Sequence, residues 1–207
     1  MRGELLPLFP LQTVLLPRAP LPLHIFEDRY KDLVRDVMLA HSEFGVVLAR
    51  EEGVLNAGCM ARIDRILRQF EDGRMDLMAI GERRFRILGI DSERSYLRAE
   101  VVELEDDEFE PTRERTRTEA LQLHAQLVRA EDEEAETPGP DEPMLSFLLG
   151  AISPDVEFRQ TLLGMRSEAQ RIDLVAKHLA RLIHRREVEK TMRSAARSNG
   201  HGKHWKG

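Results

Sequence analysis

The runs Leu6-Pro7-Leu8-Phe9-Pro10-Leu11 and Leu21-Pro22-Leu23-His24-Ile25-Phe26-Glu27 decide how this chain must fold. Five of its ten prolines, Pro7, Pro10, Pro17, Pro20 and Pro22, fall within the first thirty residues. Each fixes φ and removes a backbone donor, so no helix crosses the segment and no intact central strand is expected there. Leu, Val, Ile and Phe fill the gaps, so the segment has to be buried. Short extended pieces that turn corners and drape over an apolar face meet both demands. At Glu27 the prolines stop, and a helix is predicted to His41. Tyr30, Leu33, Val34, Val37 and Met38 make its apolar stripe, and Glu27 and Asp28 suit its first turn.

Working outward, Phe44 to Ala49 reads as a buried strand. From Ala57 to Phe70 the pattern alternates and then slips, which predicts a bulge near Asp64-Arg65. Asp72-Gly73 marks a turn into a partner strand from Met75 to Ile80. In Glu82 to Leu88, Phe85 and Ile87 fall on one face, with Arg84 and Arg86 on the other. A last strand is expected from Tyr96 to Leu104. Strand–helix–strand units do not recur, so a mostly antiparallel, barrel-like sheet with one helix fits better than a doubly wound one.

Six acids between Glu103 and Glu110, closed by Pro111, mark a boundary. Beyond it helices are predicted over about 112–130 (Ala120, Leu123, Leu127) and around Met144, Phe147, Leu148, Ala151 and Ile152. A third starts at Ser153-Pro154, read as N-cap and first helical position, and ends at Gly164. The longest opens on a Ser167/Gln170 capping box and buries Ile172, Val175, Leu179, Leu182 and Ile183. The chain therefore divides into a β domain (1–106), a helical domain (107–190) and a basic tail (191–207) without apolar period, which is expected to be flexible. The fold class is α+β.

At 42% hydrophobic and 33% charged, the chain is globular in composition, and Cys59 is its lone cysteine, so no internal disulfide can form. Prolines interrupt the only leader-like run, and no apolar stretch reaches membrane-spanning length, so a cytoplasmic protein without membrane contact is expected. The net charge of −6 divides into +7 from Lys177 onward and −13 before it. So acidic a body disfavours a phosphate backbone, and the basic end is the exception that keeps a nucleic-acid binder as the alternative.

No motif carries chemistry. There is no P-loop and no GxGxxG turn, and none of the seven histidines has a set of partners at zinc spacing, so neither cofactor nor metal is expected. His201 and His204 are spaced like ligands but sit in the tail. Cys59 lies in an alternating strand, which suits a buried, inert thiol. The carboxylates lie in charge runs that read as solvated. Arg65, Arg68, Arg83, Arg84 and Arg86 read as solvent-facing partners for those acids. His24 reads as a hydrogen-bonded, partly buried residue that pins the lead-in, with binding as its second role.

The proline-rich opening, Phe44-Gly45-Val46-Val47-Leu48 and Gly81-Glu82-Arg83-Arg84-Phe85-Arg86-Ile87 together resemble the LON domain, the amino-terminal substrate-binding part of Lon-type ATP-dependent proteases. The resemblance covers about residues 4–190. It implies a PUA-like antiparallel pseudo-barrel with a helical bundle beside it. The ATPase and serine–lysine protease modules of the larger enzymes have no motif here, so a non-enzymatic, adaptor-like protein-binding module linked to proteolysis is expected. Its implied partners are unfolded or exposed apolar protein segments, and a protease or chaperone. The implied site is the groove between barrel and bundle, or the lead-in where it is uncovered. The candidate contacts are Leu21, Leu23, His24, Phe26 and Met78.

Overall fold

The computed structural model describes residues 5–107 and 111–199, with side chains to Ser194. The lead-in forms two strands, β1 (Leu6–Leu11) and β2 (Pro20–Ile25), before helix α1 (Asp28–Ala40). β3 (Phe44–Arg50), β4 (Gly53–Gln69), β5 (Met75–Asp91) and β6 (Arg98–Glu103) follow. The sheet order is β2-β5-β4-β3-β1-β6, and β6 also pairs with β5. Five strands therefore close into a ring, and β2 is left outside it as an edge on β5. One residue from each ring strand fills the lumen: Leu8, Val47, Met60, Phe85 and Ala99 form their own buried cluster.

The pairing is antiparallel except between β1 and β3, which run parallel, so the sheet is mixed. Contrary to the expectation for a proline-rich segment, β1 is an interior strand. Its prolines survive because its two pairings are staggered. Pro7 pairs only toward β6 and Pro10 only toward β3, so each missing N–H can face an unpaired flank.

Bulges give the two long strands their curvature. One lies between Ile63 and Arg65, as the sequence slip predicts. Another sets Cys59–Ala61 against Arg84–Gly81 and so inserts one extra residue in β5. The inside–outside phase inverts there: Leu77 and Ala79 face the main core, whereas Phe85 faces the lumen. Arg84 then points outward into the helices. The Asp72-Gly73 turn takes its left-handed residue at Gly73, with φ of 82°.

In α1, Tyr30, Leu33, Val34 and Val37 are buried, but Met38 is not part of the stripe and is exposed. His41 closes the helix in the left-handed conformation and donates its N–H to Val37 and Met38 carbonyls. The helical half comprises α2 (Glu114–Arg129), α3 (Leu145–Gly150), α4 (Val156–Gly164) and α5 (Glu168–Asn199). Its apolar faces join Phe9, the 14–16 loop, β2 and α1 in one continuous core cluster.

Three expectations need correction in this half. α3 buries Leu145, Phe147 and Leu149, while Met144 and Ile152 are exposed, because the helix has only six residues and turns about Leu145 rather than Met144. Asp155, not Ser153, caps α4, accepting from Phe158 N at 3.0 Å. Ser153 is instead buried against His178. Finally, α5 continues as helix through 191–199, where no apolar stripe remains; good helix formers and local bonds such as Thr191 Oγ1 to Glu187 O sustain it. Ser167 Oγ does accept from Gln170 N at the start of α5, as the capping box requires. Residues 200–207, with His201 and His204, lie outside the described residues.

Buried His124, on α2, has an Nδ1 with no hydrogen-bond partner among the described residues. Burial lowers its pKa, so it is neutral when folded while the unfolded chain takes up a proton near pH 6.5. Its effect on stability is therefore smallest above that value, grows more unfavourable as pH falls from there toward the lowered folded pKa, and levels off below it. His124→Leu is expected to raise stability by about 1 kcal/mol at pH 7 and to weaken the acid-side fall in a urea midpoint series.

Candidate functional site

The five candidate residues part into core and surface. Leu23 is core, at 9% exposure, and Leu21 packs against the same cluster. Their alternates face outward. Pro20 and Pro22 have no N–H, so β2 must take its bonds to β5 through Leu21, Leu23 and Ile25. The outer edge of β2 is correspondingly poor in donors and resists addition of another strand.

On the outer face, Pro22 sits opposite half-buried Met78, and His24 opposite Asp76, with Nδ1 donating to the carboxylate at 2.5 Å. Phe26 is 58% exposed and stacks on His24 at 5.8 Å, while Phe70 meets the same imidazole edge-on at 6.1 Å. Arg68 and Arg74 lie over the Phe70 ring, 4.4 and 5.0 Å from its centroid. His24 is thus hydrogen-bonded as expected, but it stands on the surface. The structure brings His24, Phe26 and Met78 to one face and adds Phe70, which periodicity could not single out because it lies at the strand end beside the turn.

The junction between ring and helices is filled. Arg84 and Arg171, with side chains 5% and 1% exposed, share Asp106: Arg84 Nη2 reaches Oδ1 at 2.5 Å, and Arg171 grips both carboxylate oxygens at 2.5–2.6 Å. Arg171 also bonds Glu168 and Ser146, and both guanidiniums lie over Phe147. Burial opposes ionisation of Asp106, but the bonds and charges of Arg171 and Arg84 outweigh it and hold the carboxyl below its usual range. Two readings are corrected here. Arg84 is not solvent-facing, and Asp106 is not merely part of a solvated run. Of the other strip arginines, Arg65 pairs with Asp64 and Arg83 with Glu43, Arg68 covers the Phe70 ring, and Arg86 is exposed.

Cys59 is fully buried, and its thiol pKa is pushed up chiefly by burial, as an inert cysteine requires. A cleft of about 920 Å³ lies between α1, β1 and β6. Its arginines are engaged: Arg83 with Glu43, Arg94 with Asp36 and Arg98 with Asp91. Among the described residues, no group of three or more His, Cys, Asp or Glu is placed to hold a metal ion, and no helix is long and apolar enough to cross a membrane.

Comparison with known proteins agrees with this architecture. The family model described as the ATP-dependent protease La (LON) substrate-binding domain matches residues 5–181. Lon protease 2 of Myxococcus xanthus is 30% identical over 137 residues, which are 62% of this chain but 16% of that enzyme. A Lon N-terminal domain protein from Xanthomonas campestris superposes with a TM-score of 0.67 at 30% identity, covering 82% of this chain and 95% of its own. The N-terminal domain of the Mycobacterium avium complex Lon protease shares the fold at 19% identity, with a TM-score of 0.66 over 86% of this chain and 98% of its own. With its five-strand ring and helical half, this chain belongs to the LON substrate-binding domain family.

Proposed function

We propose that the chain is a non-catalytic module that binds exposed apolar segments of other proteins on the outer face of β2 and β5. The observation that carries this reading is Phe26, a large aromatic 58% exposed that stacks on His24, on the outward face that Pro22 and Met78 share farther along a proline-blocked edge. Removing apolar area from water drives association without a reacting group. The His24–Phe26 stack, with Phe70 edge-on to the same imidazole, offers rigid aromatic surface with few rotamers to freeze. In this reading the module presents such segments to a protease or chaperone.

Phe26→Ser combined with Met78→Ser is expected to weaken binding of reduced, carboxymethylated α-lactalbumin by at least tenfold with an unchanged melting temperature. Binding in the parent protein is expected to vary little between 50 and 300 mM salt. A steep loss with salt would instead favour the nucleic-acid alternative, in which phosphate contacts release counterions.

A further inference from the structure

A second, smaller cleft of about 500 Å³ opens between α4 and α5. Its floor is apolar: Phe158, Leu174 and Leu182 line it, and the His178 ring lies flat on Phe158 at 3.6 Å and 10°. Ser153 Oγ accepts from Asp155 N, so its own proton can go to His178 Nε2 at 2.8 Å. The imidazole proton then resides on Nδ1, which has no partner among the described residues. Burial lowers the pKa of this histidine; the charge of Asp155 opposes that, and those of Arg181 and Arg185 add to it.

Arg181 and Arg185 rim the cleft one helical turn apart. Arg181 bonds only the Lys177 carbonyl, and neither guanidinium has a carboxylate partner among the described residues. The acids on the opposite rim are engaged, Asp155 as the cap of α4 and Glu157 with Arg50. The cleft therefore holds three N–H donor groups to which no carboxylate is bonded, with the engaged acids Asp155 and Glu157 on the far rim, above an apolar floor sized for one or two residues. In the larger α1–β6 cleft, by contrast, a ligand would have to break ion pairs.

We propose that the α4–α5 cleft binds the C-terminal carboxylate of a protein chain that ends in an apolar residue. The carboxylate sits between Arg181, Arg185 and the His178 Nδ1–H, and the terminal side chain rests on Phe158, Leu174 and Leu182. Charge complementarity selects the free terminus over an internal segment, and the small volume selects one end over a long stretch. The inference rests on the reading of the chain as a protein-binding module and names one class of segment it selects.

The test is fluorescence anisotropy of the full chain with a labelled hexapeptide ending in Ala-Ala-Leu, as free acid and as C-terminal amide. The acid is expected to bind at least tenfold more tightly. Arg181→Gln with Arg185→Gln, both at exposed positions, should bring the two peptides to within twofold at an unchanged melting temperature. Equal binding of acid and amide, no measurable binding of either, or a ratio that survives the double substitution would overturn the inference. Phe26→Ser with Met78→Ser should leave the ratio intact. Loss of α-lactalbumin binding in that variant beside an acid-to-amide ratio of one would leave the sheet-face reading standing and the cleft without its role.

Discussion

Asp106→Asn is expected to lower the unfolding free energy by about 3–5 kcal/mol, the scale for stranding a buried charge whose partner is removed. Arg84 and Arg171 are the two most buried cations in the described ion pairs, and both depend on this one carboxylate. Asparagine keeps the shape but presents an N–H₂ to two guanidiniums that can only donate. Glu168 continues to balance Arg171, whereas Arg84 is left with the carbonyls of Leu163 and Met165. For a chain of this size the loss corresponds to about 6–20 °C in melting temperature. It is a large part of the roughly 5–15 kcal/mol that holds a domain folded. Urea denaturation at pH 7 with an unchanged m-value measures it directly. Arg84→Met in the same chain should recover part of the loss, because it removes the charge that has no partner.

Gly81→Val should cost about 3 kcal/mol or more, at the upper end for overpacking a core. Gly81 sits at the bulge where β5 inverts its phase, and it exchanges backbone bonds with the crossing loop: Arg18 N donates to its carbonyl at 2.7 Å, and its own N–H donates to Ala19 O at 3.0 Å. A Cβ there would press into the Leu16 carbonyl, 3.1 Å from its carbon and 3.2 Å from Cys59 Sγ. Backbone cannot rotate out of the way as a flexible side chain can. Relief requires the 14–16 loop to lift, which would expose Val14, Leu15 and Leu16, each at most 4% exposed in the fold. Thermal melting of the variant checks this, and Gly89→Val, whose Cβ meets nothing within 4 Å, is the control on the same strand.

Strand and helix positions were legible wherever one face of an element is buried and the other wet. α1, β3 and the Asp72-Gly73 turn follow from period and turn chemistry alone. Legibility failed where both faces are covered. Alternation assigns Arg84 to solvent because Phe85 is inside, yet β5 has the lumen on one side and the helical half on the other. The acidic run 103–110 hides the same fact, since among its described residues Asp106 is the one drawn inward to Arg171. β1 departs from the expectation for a topological reason: prolines exclude a strand paired along its whole length on both flanks, and staggered pairing avoids that demand. Of the candidate surface, His24, Phe26 and Met78 could be named from the lead-in and its partner strand. Phe70 and the α4–α5 cleft could not, since they depend on where a turn and two helices come to rest.

The proposed docking face for apolar segments is the outer side of β2 and β5. The most direct test is an amide ¹H–¹⁵N titration of the intact chain with carboxymethylated α-lactalbumin. Shifts are expected to concentrate at residues 21, 23–26 and 68–80 and to be lost on Phe26→Ser with Met78→Ser. Shifts confined to the α1–β6 cleft, or a shift pattern that the double substitution leaves in place, would contradict it.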